Sequence, residues 1–556
     1  MSQGRWRHNK AVTSRYLGHR APLLWLVLPV MAGLAAGKIG VVAPVSWQLA
    51  GALAAGIFAV VASWRFPVAW RPAIVLTLFL AGGGAYLLQR ARLPAWDALP
   101  AREARLTLRV DRVFTPREGK KASGLATIVR APDFLPELRG QRIYFSLDRR
   151  PGEALPVRSA VIAAVGVLVT LPRNPPTESF DSFLADAGMN FRLTRGRILA
   201  EIEPAHAYYR FCASGAARFK EILGRGIEEK RPTLTALLRA MMLGETHELS
   251  EEQRTLFMQS GTMHLFAISG LNIGVIAGAM QALLALLRLP GWARFVAGAL
   301  LLGVFVDITG ASPSAVRAFV MAVFMHAAFV WRQPANPLAA LIASAALVLA
   351  LAPLQLFSAS FIMSYGIVSA LLVLGLPLGE AWQTRWPAWR DLPPATWRRW
   401  HHMVDTSWRW GSTTVAIGVA TTLVALITGV QFFRLMTPGA LAANLVLIPT
   451  AMGATLAGFA SLVCGLLGFG AGATLCNHAA AMVLLLIEWL VHTSVQLPGA
   501  YLPAHFAPAW AGMAGLSLLM AALFGGYAAH WRRERGGWWP PFAVVALALI
   551  FGMKFD

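Results

Sequence analysis

The sequence predicts a polytopic α-helical membrane protein, with about 11–13 transmembrane helices and a small β-barrel domain inserted outside the membrane. Of the 556 residues, 56% are apolar and only 14% are charged, whereas soluble proteins carry about 25% charged residues. Such a chain has too much apolar surface to fold in water. The net charge of +22 therefore belongs to extramembrane segments, where it orients the protein, contacts anionic lipid or attracts a polyanion.

The motif content excludes several enzyme classes. Cys212, Cys464 and Cys476 are too few and too scattered for a disulfide framework or a zinc site. The sequence contains no HxHxDH, HExxH or GxxxxGK[ST] motif. It therefore predicts no metal site, no cofactor and no ATP-driven motor, so the energy for any transport comes from another component.

The N-terminal region, residues 1–92, combines a basic tail with about three transmembrane helices. Five basic and no acidic residues precede an apolar run at 21–37, a pattern that signal peptides share with uncleaved first helices. We favour an uncleaved helix because apolar segments at 46–64 and 72–89 follow at once. Arginines between those segments place the N-terminus in the cytoplasm, and three crossings then place the next segment outside.

That next segment, residues 95–210, has the composition of a soluble domain. It holds 31 charged residues among 116, against 45 among the other 440. Alternation of apolar and polar residues at 106–110, 143–147 and 198–202 predicts strands with one buried face. With the apolar run at 157–171, the pattern predicts a small β-barrel or sandwich.

The aromatic residues of this domain have two interpretations. Phe114, Tyr144 and Phe145 lie in or beside the predicted strands, and the domain has a charge of +5. A basic barrel with exposed aromatic rings binds single-stranded nucleic acid by stacking and phosphate contact. Alternatively, the rings form the barrel core and the charges a solvated face.

The remainder of the chain divides into four parts. Residues 211–262 are amphipathic and predict interfacial helices on the outer surface. Residues 263–376 predict five transmembrane helices, and residues 377–410 a basic cytoplasmic loop. Residues 411–556 predict a second transmembrane bundle, in which 437–470 forms one long or broken span.

The densest group of polar residues precedes and enters the first helix of the 263–376 bundle. The run from Ser260 to Gly274 reads SGTMHLFAISGLNIG. Polar groups at this depth either hold helices together or line a wet path. The candidates for such a path are His264, Ser269 and Asn272, together with Gly270.

Glycines recur every four residues in the same helix. Gly270, Gly274 and Gly278 therefore share one face, on which a neighbouring backbone can approach closely. The spacing predicts helix packing at this face.

An intramembrane serine hydrolase is an alternative interpretation of the same run. Ala267 to Gly270 is similar to the serine motif of rhomboid proteases, in which a histidine on another helix activates the serine. In one straight helix, His264 and Ser269 are too far around the axis to hydrogen-bond. The base would be one of three histidines elsewhere in the chain, His326, His478 or His492.

Arg317 lies in an otherwise apolar predicted helix, where a guanidinium is costly without a partner. An ion pair with Asp307, which precedes it across a short turn, is one explanation. The other is that Arg317 faces a polar channel and contacts a passing phosphate, because its planar fork matches phosphate oxygens.

These segments together resemble the ComEC family of competence proteins, the inner-membrane channels for uptake of single-stranded DNA. Residues 174–184 resemble the Asn-Pro-Gly-x-Phe-Asp segment of the family, and 243–245 with 260–271 its strongest signature. Further matches follow in the order of the family: Pro313 to Ala318, Arg332 to Asn336, Phe361 to Tyr365, Ala443-Asn444 and Ile448-Pro449.

The resemblance implies an OB-fold for the barrel, a location in the inner membrane with this domain in the periplasm, and no enzymatic activity. It adds Ser364, Tyr365 and Asn444 to the candidate DNA path. Its implied partners are single-stranded DNA, membrane lipid, a DNA receptor, a nuclease and a cytoplasmic motor, with a homo-oligomer as a further expectation.

Two departures from the family and one functional alternative stay open. Asn272 stands where the family usually has histidine, which removes a titratable group. The metallo-β-lactamase-like domain that follows the second bundle in long members has no counterpart here, so we expect strand degradation by another protein. A transporter or flippase of another envelope or anionic polymer is the alternative function.

Overall fold

The computed structural model describes residues 21–66, 68–90, 96–97, 99–114, 121–149, 155–172, 175, 179–266, 268–333, 336–390, 392–393, 396–532, 534 and 536–555. Its N-terminal helices form a compact unit. The helices are α1 (Leu24–Ile39), α2 (Val45–Arg65) and α3 (Trp70–Gln89). Glycines bring α1 and α3 together: a Cβ at Gly82 would overlap the Val30 carbonyl, and one at Gly33 the Phe79 carbonyl. Only residues without a side chain permit this distance between backbones.

A closed five-stranded barrel follows. Its strands are β1 (Arg102–Phe114), β2 (Lys121–Arg130), β3 (Arg142–Asp148), β4 (Val161–Thr170) and β5 (Phe191–Glu203). They close in the order β1-β2-β3-β5-β4, with only the β3–β5 pair parallel. The short helix α4 (Phe180–Asp186) connects β4 to β5. The prediction of a barrel is confirmed, and a small five-stranded barrel is the architecture of OB-folds.

The barrel core explains the alternation in the sequence. Leu106, Leu108 and Val110 point inward from β1 and are buried, while the residues between them lie outside the core. Phe145 on β3 has 0% exposure, so the core interpretation is correct for this ring. Phe114 and Tyr144 lie outside the barrel core and are only half-buried.

Four short helices lead from the barrel to the membrane bundle. They are α5 (Ala207–Gly224), α6 (Pro232–Leu243), α7 (Glu251–Gln259) and α8 (Met263–Phe266). The pattern of 211–262 predicts helices on the surface, but α6 is buried along most of its length, from Leu234 to Leu243. The structure corrects that expectation because the apolar residues of α6 pack inside the bundle rather than against lipid.

Ten longer helices complete the chain. They are α9 (Gly270–Leu286), α10 (Gly291–Ile308), α11 (Pro313–Val330), α12 (Pro337–Leu351), α13 (Ala359–Arg385), α14 (Arg399–Phe433), α15 (Ala440–Leu466), α16 (Gly470–Val495), α17 (Trp510–Ala528) and α18 (Trp539–Gly552). Among the described residues, nine helices are long and apolar enough to cross a membrane, and five shorter apolar helices accompany them. The predicted fold class, a polytopic helical membrane protein with a small barrel domain, is confirmed.

The membrane helices pack around two separate hydrophobic cores. The first bundle combines α5–α10 with α15 and α16. The second combines α1, α12, α13, α14, α17 and α18. Helix α11 contacts α9 and α10 on one side and α12 and α13 on the other, so it lies between the two bundles.

A small sheet lies at one end of the helices. The strands β6 (Leu435–Met436), β7 (Leu502–Phe506) and β8 (Met553–Phe555) pair antiparallel in that order. β6 follows α14, β7 precedes α17 and β8 follows α18, so the sheet fixes these three helix ends at the same side of the membrane.

The barrel contacts both bundles. On the side of the second bundle, Lys38 at the end of α1 pairs with Asp186 of α4 at 2.8 Å. On the side of the first bundle, Arg158 in the segment before β4 pairs at 3.3 Å with Asp307 at the end of α10. The barrel therefore bridges the two bundles at the membrane surface.

Candidate functional site

The polar signature begins in the turn between α7 and α8. The hydroxyl oxygens of Ser260 and Thr262 are 2.6 Å apart, and both side chains are buried. His264 is exposed, and its Nδ1 lies 3.0 Å from the Gly261 carbonyl. Because a carbonyl only accepts, Nδ1 is the donor, which leaves Nε2 open at the entrance to α9.

Asn272 connects helices. Its side chain is only 1% exposed, and its Nδ2 donates to the carbonyls of Met241 and Leu265 at 3.2 and 3.4 Å. The Thr455 hydroxyl of α15 lies 3.5 Å from its Oδ1, but its proton points to the Ala451 carbonyl at 2.9 Å. The amide nitrogen of Asn272 thus connects α9 with α6 and α8, which favours a packing role over the predicted place on a path.

The glycine face of α9 is open. A Cβ at Gly274 or Gly278 would meet no atom within 4 Å, and one at Gly270 would meet only the Ala318 Cβ, at 3.7 Å. All three glycines are exposed. Among the residues that the structure describes, the predicted helix packing at this face is thus not formed, and the stripe is an accessible surface of small residues.

Ser269 caps α9. Its Oγ accepts a hydrogen bond from the backbone N–H of Asn272 at 3.3 Å, which satisfies one of the free N–H groups at the helix start. The three histidines proposed as its base contact other groups: His326 the Ala322 carbonyl, His478 the Gly226 carbonyl and His492 the Gln496 amide. The catalytic dyad of a serine hydrolase is therefore not formed between Ser269 and any of these histidines.

Arg317 of α11 is buried between the two bundles, with 2% exposure. Its Nη2 donates to the carbonyl and the hydroxyl of Ser360 on α13, at 2.8 and 2.7 Å. Its Nε and Nη1 have no hydrogen-bond partner among the described residues. A buried cation with unused donors is costly in a membrane, and it is an incomplete anion site because Nε and Nη1 can each donate to an anion oxygen.

Tyr365 supports the guanidinium. Its ring centroid lies 5.9 Å from the Arg317 Cζ, within the range of a cation–π contact, and its hydroxyl lies 2.7 Å from that of Ser344 on α12. Ser364 precedes it and is half-buried. The structure thus brings Arg317 and Tyr365 together, and it adds Ser360, which the sequence patterns did not indicate.

The predicted ion pair between Asp307 and Arg317 is wrong. Asp307 accepts a hydrogen bond from the Tyr208 hydroxyl at 2.7 Å and pairs with Arg158. This hydrogen bond raises the pKa of Tyr208 above its ordinary value, because the phenolate would face a carboxylate. The turn after α10 directs Asp307 to the barrel, whereas Arg317 lies a full turn inside α11 and faces α13.

Asn444 lies near the start of α15, and its side-chain amide lacks one hydrogen bond among the described residues. Its Oδ1 is buried and accepts no hydrogen bond from the described residues. An amide oxygen in this state costs free energy unless a ligand or water reaches it. The structure does not connect Asn444 with Arg317 by a hydrogen bond, so the two remain separate candidates.

A network of charges that the sequence analysis did not single out connects α5 and α6. Glu245 accepts from Lys220 at 2.6 Å and from His247 at 3.1 Å, and Arg239 pairs with Glu228 at 2.8 Å. Burial opposes ionisation of Glu245, but the hydrogen bonds from His247 and Lys220 hold its pKa below the ordinary value. Glu245, His247 and Glu248 lie close enough together to hold a metal ion, yet the two carboxylates already contact Lys220.

The barrel carries a ridge of aromatic rings on its outer surface. Phe114, Tyr144, Phe180 and Phe183 follow one another with centroid distances of 6.4, 5.1 and 5.9 Å. Phe180 and Phe183 are each 50% exposed, and the Arg112 guanidinium lies 5.5 Å from the Phe114 ring. The ridge joins the end of β1, β3 and the β4–β5 connection, which is the ligand-binding face of OB-folds.

Fold and site together define a multi-pass membrane protein with an extramembrane barrel and a buried arginine between two helix bundles. A model of the competence protein family matches residues 241–528. That range is more than half of the chain, and the protein therefore belongs to the competence protein (ComEC) family, as the motifs predict.

The same relationship appears in a curated relative. ComE operon protein 3 from Bacillus subtilis (strain 168) is 28% identical to this chain over 144 residues, which is 26% of this chain and 18% of that protein. The match thus spans under a fifth of the relative's length. No solved structure matches the chain.

Proposed function

We propose that this protein is an inner-membrane channel through which single-stranded DNA enters the cytoplasm during natural transformation. The observation that carries the proposal is the buried Arg317 guanidinium, whose Nε and Nη1 have no partner among the described residues. Each of these two donors lacks an acceptor, which an oxygen of a passing phosphate can supply. The membership in the competence family supports DNA as the polyanion.

The distribution of basic residues supports an orientation with the barrel in the periplasm. Helices α1 and α10 end at the barrel, at Lys38 and Asp307, so their other ends lie at the opposite side of the membrane. The loops and helix ends at that side carry ten arginines: Arg65, Arg71, Arg288, Arg294, Arg332, Arg385, Arg390, Arg398, Arg399 and Arg532. Basic loops stay in the cytoplasm, so we assign the N-terminus to the cytoplasm and the barrel to the periplasm.

The barrel then receives the strand. The aromatic ridge offers stacking surfaces for successive bases, and stacking tolerates any base sequence. From the ridge, the strand reaches the exposed small-residue stripe of Gly270, Gly274 and Gly278, with His264 at its start. Arg317, with Tyr365 and Ser364, is buried between the bundles beside the start of this stripe, where Gly270 faces Ala318.

Loose binding suits this task. Conduction requires that each site be favourable enough to enter and weak enough to leave. A single guanidinium with two free donors contacts one phosphate at a time and then releases it. We assign conversion to a single strand and the driving force to other components of the competence system, a nuclease and a cytoplasmic motor.

The test compares variants of buried and exposed arginines in a strain deleted for the gene. We expect Arg317→Ala to reduce uptake of labelled DNA into the cytoplasm at least ten-fold while the protein level stays normal, because removal of a costly buried cation offsets the loss of its hydrogen bonds to Ser360. The matched control is Arg65→Ala, which removes an exposed arginine at the end of α2.

Two results would contradict the proposal. Normal DNA uptake in the deletion strain would exclude the channel function and favour transport of another polymer. Equal loss of protein and uptake in Arg317→Ala would show that Arg317 is structural.

A further inference from the structure

Helix α14 is too long to lie entirely inside a membrane. It has 35 residues, so it is about 52 Å long, whereas the hydrocarbon core is about 30 Å thick. Residues 411–433 contain no charge and are sufficient to cross. The first turns, residues 399–410, therefore extend roughly 18 Å beyond the membrane, at the end opposite the barrel.

The extension is exposed and rich in tryptophan. Trp400, Met403 and Trp410 are 51%, 70% and 61% exposed. Every residue from 402 to 410 except Asp405 is exposed. Among the described residues, these exposed side chains pack against no hydrophobic core. Their aromatic rings are therefore available to a ligand.

The rings are held in place before any ligand arrives. Trp400 stacks on His401 with centroids 3.7 Å apart, and Trp389 packs edge-on against both rings, at 5.1 and 4.8 Å. The indole N–H of Trp389 donates to the His401 carbonyl at 3.1 Å. Trp400 therefore presents a ring surface whose orientation costs no additional entropy on binding.

The charge around these rings is positive. Residues 385–410 contain five arginines and two aspartates, and one of the aspartates, Asp405, is paired with Arg409 at 2.7 Å. Arg399 is adjacent to Trp400. Stacked aromatic rings among arginines are the combination that binds single strands, with bases on the rings and phosphates on the guanidinium groups.

An interfacial role does not account for Trp400. Tryptophans of the aromatic belt lie at the headgroup level, within roughly 5–8 Å of the hydrocarbon core. Trp410 fits that depth. Trp400 is about 15 Å further along the helix, beyond the headgroups.

We infer that the stack of Trp389, Trp400 and His401, with the surrounding arginines, is a binding platform for the single strand of DNA that emerges on the cytoplasmic side. The inference rests on the proposed channel function, which supplies the strand. Its chemistry is non-covalent: bases stack on Trp400 and phosphates contact the arginines. Binding here favours forward movement, since a captured strand does not slide back.

The experiment uses the full-length protein in nanodiscs of neutral lipid and a dT oligonucleotide that carries 5-iodouracil. Ultraviolet cross-linking of stacked bases is expected to label the peptide 386–410 at Trp400. To remove the contribution of the barrel, affinity is measured by fluorescence anisotropy in a Phe180→Ala/Phe183→Ala background. There, Trp400→Ala should weaken binding about ten-fold, and Trp400→Phe should retain most of it because a ring remains.

The matched control is Trp489→Ala, which removes a tryptophan of α16 with similar exposure and should leave binding unchanged. Cross-links confined to the barrel, or unchanged affinity in Trp400→Ala, would overturn the platform and indicate a role in contacts with lipid or protein. That failure is distinct from failure of the channel function, because the Arg317→Ala uptake assay does not depend on oligonucleotide binding in nanodiscs.

Discussion

Asn272 and Arg317 are both buried polar residues beside the same signature, but their environments separate their roles. The amide nitrogen of Asn272 donates to two carbonyls of neighbouring helices. The guanidinium of Arg317 has partners for only one of its three nitrogens. A saturated group stabilises the fold, whereas an unsaturated one retains binding capacity for a ligand.

We predict that Asn272→Ala destabilises the protein without a specific effect on DNA. The variant leaves the Met241 and Leu265 carbonyls without their donor, at a cost of about 1–3 kcal/mol. The measurement is thermal unfolding in detergent, with Ser364→Ala, a half-buried hydroxyl in α13, as the control. An unchanged midpoint in Asn272→Ala would contradict the role of this amide as a link between helices.

Sequence patterns could not distinguish these roles. The sequence places Asn272 and Arg317 in apolar segments, which indicates that each needs a partner. It does not indicate which partner, because partners such as Ser360 and Met241 lie far along the chain. The error for Asp307 has the same origin: proximity in sequence suggested Arg317, whereas the fold brings Arg158 and Tyr208 to it.

At the scale of the helix, the glycines of α9 show the same limit of prediction from sequence patterns. A four-residue spacing identifies a shared face, and it does so correctly for α9. Whether that face meets a helix or remains open depends on the neighbours, and here it remains open. The tight contacts are instead in the N-terminal unit, where Gly33 and Gly37 of α1 have the same four-residue spacing and do face α3, and where Gly82 is one of three consecutive glycines.

We predict opposite effects for the same substitution in these two helices. Gly82→Ala forces a Cβ into the Val30 carbonyl and should lower the thermal midpoint or the yield of folded protein. Gly274→Ala meets open space and should raise the stability slightly, by about 0.5–1 kcal/mol, because alanine favours a helix. Size-exclusion profiles and thermal unfolding of both variants provide the check, and equal effects would contradict the assigned contacts.

The strands and helices could be predicted where the sequence shows regular alternation of apolar and polar residues or a long apolar run. Alternation at 106–110 and 143–147 falls within β1 and β3, and the apolar runs fall within membrane helices. Helix α6 was not predictable, because a short apolar helix inside a bundle and an amphipathic helix at an interface both show mixed composition.

At the scale of the molecule, the barrel is attached to the helices by polar contacts, which include two ion pairs and the hydrogen bonds from Arg90, after α3, to the Met189 carbonyl and the Asn190 Oδ1. The Lys38–Asp186 and Arg158–Asp307 pairs are partly exposed, so each contributes little alone and weakens with salt. A domain held in this way stays in place at rest and detaches at low cost.

We predict that Lys38→Ala combined with Asp307→Asn loosens the barrel without unfolding it. Hydrogen exchange of full-length protein should become faster at α4 and at the segment before β4, while the barrel strands remain protected. The control is Asp405→Asn, which removes an ion pair of α14 away from the barrel. Unchanged exchange in the double variant would show that other contacts fix the barrel.

The attachment of one folded domain to both bundles has a mechanical consequence. At the outer surface, the separation of the bundles is set by the barrel and not by lipid pressure. A polymer that forces the bundles apart must perform work against these attachments. The pulling force that starts movement should therefore fall as ionic strength rises, while the force that sustains movement should not.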